Sequence, residues 1–327
     1  MDVSFIQGCS HDPRADSEGN IAYRSVYVQK KVSNLNARRF PKLPEIYLDE
    51  SYYKVNHVAG STWLLKNSPR YIPSGKGQRY CIVGAGAVLV KKGKLHAEWV
   101  PDSLKFWPSH YKADDSDYHG NFNGYLFIKW FERLCAVLEL RYESCRIHVD
   151  DGSYHKVQTN AAPPSNALRA DIIEWLRRQG YTAPAHYTRK QLRAVIAQVR
   201  PTPINEAVVM ARKYHHEVLY TPPYHPELQP IDMIWGALKN RIALDPADTL
   251  DDLGDKFGEG LAAITKQEWI GAYKKVQSQE TAYIEEAQAA APASIPSPTR
   301  GELMALALER MNAASDDSID VEYNVAF

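Results

Sequence analysis

Residues 217–239, EVLYTPPYHPELQPIDMIWGALK, constrain this chain more than any other stretch. Residues 217–220 are a short apolar run of strand composition. Residues 221–230 form a loop with four prolines and no glycine, and proline fixes φ, so this connection is stiff. Apolar residues then recur at Ile231, Ile234, Trp235, Leu238 and Ile242, which is helical spacing. Pro230 falls in the first turn, where a helix favours it. Asp232 also stands in that turn, with Gly236 and Lys239 on the same face. A carboxylate, a small residue and a lysine on one side suit a ligand bearing phosphates. The same residues also suit an ordinary amphipathic helix whose Asp232 complements the helix dipole. The remainder of the chain separates the two readings.

At 327 residues the chain allows one large domain or two smaller ones. Lys+Arg 39 balance Asp+Glu 39, so bulk charge does not mark a nucleic-acid binder and any basic surface must be local. Cys9, Cys81, Cys135 and Cys145 lack zinc-site spacing. Cys81 and Cys145, in or beside apolar runs, read as buried thiols in a reducing compartment. No stretch approaches the roughly 18 consecutive apolar residues of a membrane helix. The first residues lack the form of a signal peptide.

In chain order, residues 1–40 read as a polar, extended lead-in with a strand at 23–28 and no helix-turn-helix. Residues 44–53, PEIYLDESYY, read as a strand with Ile46, Leu48 and Glu50 on one face and Tyr47, Asp49 and Ser51 on the other. An aspartate inside such a run is unusual, because strands deplete it. Strands at 61–66, 79–90 and 96–100 extend an antiparallel meander, their connections being too short for crossover helices. Gly84 and Gly86 read as close strand packing, since no Gly-Lys-Ser/Thr follows. A solvated loop at 114–123 ends in Asn123, the cap of a strongly apolar helix at 124–140. Residues 144–151, SCRIHVDD, form a strand with Ile147 and Val149 on one face and His148 and Asp150 on the other. Helices follow at 167–179, after Thr188, at 205–215, at 249–264 and at 266–290. A linker, a marginal helix and a disordered acidic tail are expected beyond.

Three aspartates thus share a pattern: Asp49 on a first strand, Asp150 ending a later one, Asp232 opening a helix after a strand. In a mixed sheet of this order the first and fourth strands end side by side, and the helix after the fifth brings its first turn to them. Three carboxylates converging there could not all stay charged without a cation. Magnesium or manganese, with hard oxygen ligands, is the natural partner. Two such ions ~4 Å apart would activate a water or 3′-hydroxyl and stabilise the leaving oxygen of a phosphodiester.

The segments YLDESY, IHVDDGSYHK and TPPYHPELQPIDMIWGALK resemble the three catalytic blocks of mariner-type DDE transposases. DYHGNFNGYLFIKWFERL resembles the segment before the second block, so the resemblance spans about residues 41–265. It implies an α/β, RNase H-like fold with a mixed five-stranded sheet flanked by helices, split between 41–162 and 205–265. It implies cleavage and strand transfer of DNA at transposon ends, with Mg²⁺ or Mn²⁺, two ions, held by Asp49, Asp150 and Asp232. Glu50 and Asp151 are the adjacent acids; motif and strand face both favour the first of each pair. His155, Lys156 and Lys239 are candidate phosphate contacts. DNA is the implied partner, with a homodimer as in relatives, no membrane and no small-molecule cofactor. The nucleus is the implied location in a eukaryote, and the cytoplasm otherwise.

This chain departs from the family pattern in two places. The gap between Asp150 and Asp232 is long, 81 residues. The excess, at 163–204, looks like a SAP-type helix–extension–helix, with seven basic residues against two acidic ones between Asn166 and Arg200. Arg177, Arg178, Arg189 and Lys190 are expected to touch DNA there, outside the active site. A paired helix-turn-helix for transposon ends is missing. Two functions follow: a DDE endonuclease/transposase, or a domesticated or decayed copy that binds DNA or chromatin without catalysis. The three intact aspartates favour the first.

Overall fold

The computed structural model describes residues 12–55, 79–109 and 122–290. The chain divides into two compact units, Met1–Thr281 and Ala282–Phe327; of the second, only the helical residues 282–290 are described. The expected strand at 61–66, most of the polar loop at 114–123 and all features beyond 290 lie outside the described residues.

The first unit is built on a mixed sheet of β1 (Glu45–Lys54), β2 (Arg79–Lys91), β3 (Lys94–Trp99), β4 (Lys105–Ser109), β5 (Arg146–Val149) and β6 (Glu217–Tyr220). The order is β3-β2-β1-β5-β6, with β4 also pairing with β2. β1 is antiparallel to β2 and parallel to β5, which is parallel to β6. Parallel neighbours require crossovers, and helices supply them: α2 (Gly124–Tyr142) precedes β5 and α5 (Glu206–Lys213) precedes β6, while α1 (Glu18–Ser33) lies before β1. This is the RNase H-like arrangement. Among the described residues the sheet has six strands where five were expected. A turn at Pro101 and Asp102 breaks the third: Ser103 Oγ donates to Val100 O at 2.7 Å and Ala85 O at 3.1 Å. β3 therefore covers one half of β2 and β4 the other.

Strand alternation divides the core as the sequence implies. Ile46 and Leu48 of β1 and Ile147 and Val149 of β5 pack under Phe127, Phe131, Leu134 and Leu138 of α2. Asn123 caps that helix, its side chain accepting from Leu126 N at 3.0 Å. Tyr47, Ile82 and Val88 face α6 (Pro230–Leu244), α7 (Leu250–Ala262) and α8 (Lys266–Ala290), packing with Trp235, Phe257, Trp269 and Tyr273. Gly86 lies directly beneath Trp269; a methyl there would stand 2.0 Å from the indole. Cys81, Cys135 and Cys145 are free and buried, and burial pushes each thiol up to about 12.

Residues 23–28 are helical, within α1, rather than the expected strand. Arg24, Tyr27, Val28 and Lys31 are the buried positions, a helical period that the aromatic and β-branched composition of the run concealed. Lys31 reaches into a fully buried polar cluster, pairing with Glu45, which also accepts from Asn34 Nδ2 at 3.0 Å and Tyr47 OH at 2.8 Å.

The excess residues before β6 carry α3 (Arg169–Arg178) and α4 (Arg189–Val199), which enclose a core of their own from Ile172, Leu176, Leu192, Val195 and Ile196. Their loops mirror each other. Arg169 donates to Ala185 O at 2.6 Å, and Arg189 donates to Ser165 O at 3.3 Å. The chain leaves and returns through one stem: Gln158 bridges Asn205, Thr159 N donates to Ile204 O at 2.9 Å, and Asn160 Nδ2 donates to Thr202 O at 2.8 Å. Because entry and exit are pinned side by side, the excursion leaves α5, β6 and α6 where a short connection would put them.

Candidate active site

The parallel register sets two acids at one level. Tyr47 pairs with His148; carried two residues further, Asp49 stands level with Asp150, just past the end of β5. The proline loop brings in the third. Thr221 N and Oγ1 donate to Val149 O at 2.8 and 3.3 Å, tying the loop to the residue before Asp150. Leu228 and Ile231 are fully buried, and Tyr53 OH donates to Trp235 O at 3.1 Å, so α6 is locked to β1. Asp232 in its first turn then joins Asp49 and Asp150 in lining a cleft of about 340 Å³, with the proline loop as one wall.

Each acid has a distinct electrostatic state. Burial first, then the charges of Asp232, Glu50 and Asp150, lift Asp49 well above the usual carboxylate range. Asp232 is pushed up to about 6 by burial and by Asp150, against a hydrogen bond with Asp49 and the charge of Lys239. Both acids therefore resist ionisation while no counter-charge is present. Glu50 rises to about 7, chiefly through burial. Asp150 is held low: burial opposes ionisation, but His155, the Gly152 N–H at 3.0 Å and Lys156 outweigh it.

The structure places His155 inside rather than at a phosphate. It is fully buried, its Nδ1 meets Asp150 Oδ1, and its Nε2 lies 3.6 Å from Glu50 Oε2. Phe127 and Tyr154 pack on the ring at 4.4 and 4.2 Å between centroids, and Tyr154 OH donates to Glu50. Lys156 pairs with Asp151. Lys239 lies 5.2 Å from the Tyr53 ring centroid, on the Asp232 side of α6. Among the described residues, a methyl on Gly236 would meet nothing within 4 Å, so none of them needs that glycine. Arg177, Arg178, Arg189 and Lys190 sit exposed on the inserted helices and do not line the cleft. Arg177 and Arg178 both bond Glu174, at 2.9 and 3.1 Å. Sequence reasoning missed Tyr154, Thr221 and Tyr224; only backbone geometry brings them to the acids.

The donor chemistry, hard carboxylate oxygens in excess over bases, fits a divalent cation. As placed, no three His, Cys, Asp or Glu side chains among the described residues form a group ready to hold a metal, and Asp150 is engaged by His155. No helix among the described residues is long and apolar enough to cross a membrane.

Fold and cleft together define an RNase H-like protein with an acidic site at the ends of its central parallel strands. No protein-family model matches the chain, and no curated protein does. Its structural neighbours include complexes of the Mos1 mariner transposase. It is similar to the paired-end complex with left transposon end (11% identity, TM-score 0.49, covering 86% of this chain and 66% of that one). It is also similar to the strand transfer complex (11%, 0.49, 89% and 67%) and to the paired end complex with Mn (10%, 0.47, 90% and 68%). The chain thus spans about two thirds of the length of the transposase.

Proposed function

We propose that this chain cleaves and joins DNA phosphodiesters, with Asp49, Asp150 and Asp232 holding magnesium or manganese. The observation that carries this reading is the cleft itself. Three elements distant in sequence deliver Asp49, Asp150 and Asp232 to one 340 Å³ space, which Asp151 also lines, and burial and neighbouring charge oppose the ionisation of Asp49 and Asp232. Bound there, the cations would supply Lewis acidity to the attacking water or 3′-hydroxyl and to the leaving oxygen. The chain's own residues orient the parts. β1 and β5 hold two acids level, the proline loop fixes where α6 begins, and His155 steers one oxygen of Asp150. Lys239 adds positive charge beside Asp232. DNA, including transposon ends and target, is the proposed substrate, acted on by a homodimer.

Incubation of supercoiled plasmid with Mn²⁺ or Mg²⁺ tests the proposal. Nicking that EDTA abolishes, and that Asp150→Asn lacks, is the expected result. Equal nicking by both proteins, or none by either, overturns it. The engagement of Asp150 by His155 favours one alternative, a non-catalytic DNA-binding protein that keeps the fold. That reading expects DNA binding without metal and no nicking.

A further inference from the structure

Tyr224 occupies the left-handed region, φ +64°, on the proline loop that lines the acidic cleft. That conformation is unfavourable for a residue with a bulky side chain, and strained residues of this kind gather at functional sites. Its neighbours Pro223 and Pro226 restrict the backbone that would otherwise relax. The ring is not used as core; Tyr224 is 41% exposed.

A second element reaches the same place. The guanidinium of Arg14 lies 4.2 Å from the Tyr224 ring centroid. Asp12 sets its pose, accepting from Arg14 N and Nε at 3.0 Å and from Nη2 at 2.7 Å. The helix that follows is fastened beside the loop, where Tyr23 OH donates to Tyr220 O at 3.2 Å. An aromatic ring and an oriented guanidinium thus stand together at the mouth of a cleft lined by four carboxylates. An aromatic face stacks any base, and with Asp12 taking the Nε and Nη2 edge of Arg14, its Nη1 can donate to a phosphate oxygen.

We propose that Tyr224 and Arg14 form a nucleotide-positioning lip. The Tyr224 ring stacks an unpaired base next to the phosphodiester that enters the cleft, and Arg14 contacts the adjoining phosphate. The inference rests on the reading of the cleft as a DNA phosphodiester site, and adds the residues that hold the strand there.

The test uses the full chain in EDTA and a single-stranded DNA oligonucleotide carrying 2-aminopurine, whose fluorescence falls when it stacks. Wild-type protein should quench it on binding. Tyr224→Asn keeps a residue tolerant of the left-handed backbone but removes the ring; it should abolish the quench and weaken binding on the order of 10-fold. Tyr224→Trp should restore both. Arg14→Gln should lower the slope of log affinity against log salt by about 0.7, one phosphate contact. Quenching by Tyr224→Asn equal to wild type, or binding by wild type without quenching, overturns the lip and leaves the cleft reading standing. Failure of the wild type to bind any oligonucleotide overturns both.

Discussion

Asp49, in mid-β1, and Asp232, in the first turn of α6, line one cleft, where burial and the charge of Asp232 lift Asp49 well above the usual carboxylate range. Buried carboxylates gathered in one site oppose each other's ionisation. Folding therefore disfavours charge at the point where a cation would otherwise supply the counter-charge, and the energetic consequences are open to measurement.

The pKa of Asp232 is raised from 3.8 to about 6. A raised carboxyl contributes stability that is whole below its unfolded value and is lost as pH rises through its folded value. Above pH 6 the ionised site should cost about 3 kcal/mol. Asp232→Asn should remove that cost, raising Tm by about 3–6 °C at pH 8 and not at pH 4. Scanning calorimetry at both pH values checks it; an equal shift at the two would exclude titration of this site as the cause.

His155 should matter through Asp150. In His155→Phe the ring can still pack against Phe127 and Tyr154, but the polar contact with Asp150 is gone. The pKa of Asp150 should rise, and Mn²⁺ affinity should fall about 10- to 100-fold, as when a partner of a ligating group is removed. Metal titration by calorimetry and carboxyl titration by NMR read the two effects separately. Unchanged Mn²⁺ affinity would show that His155 only fills space.

The pair of Lys31 and Glu45 is fully buried. Burial opposes the charge of Glu45, yet Lys31, His148 and Asn34 hold it at about 2. A depressed carboxyl contributes stability present above its unfolded value of 4.5 and lost as pH falls toward 2. Lys31→Met should strand the carboxylate and cost about 3–5 kcal/mol at pH 7. Lys31→Met with Glu45→Gln should recover much of that loss, as urea unfolding of the two variants would reveal.

In the insertion, Glu174 occupies both Arg177 and Arg178. If this surface meets DNA, Glu174→Gln should free two cations and tighten binding a few-fold. Removing charge at Arg177, Arg178, Arg189 and Lys190 should weaken it and flatten its salt dependence. Fluorescence anisotropy across a salt series measures both; identical slopes for all three proteins would place the DNA elsewhere. Leu192→Ala, which opens a core of five buried side chains, should expose residues 163–204 to protease while the sheet stays protected.

Much of this molecule was legible in the chain itself. Alternation around Asp49 and Asp150, the helical period after Pro230, the caps at Asn123 and Thr188, and the stiffness of the proline loop are local properties. Local side-chain chemistry determines them, so the elements and the three candidate acids could be named from sequence. Residues 23–28 mark where that fails: composition suggested a strand, but burial on a helical period decides the outcome, and burial belongs to the assembled core. The level placement of Asp49 with Asp150, the opposed ionisation of Asp49 and Asp232 and the inward turn of His155 are tertiary facts. So are the pinned stem that makes an 81-residue excursion harmless and the meeting of Arg14 with Tyr224. Each arises between segments far apart in the chain, where distance and dielectric, not residue type, set the energy.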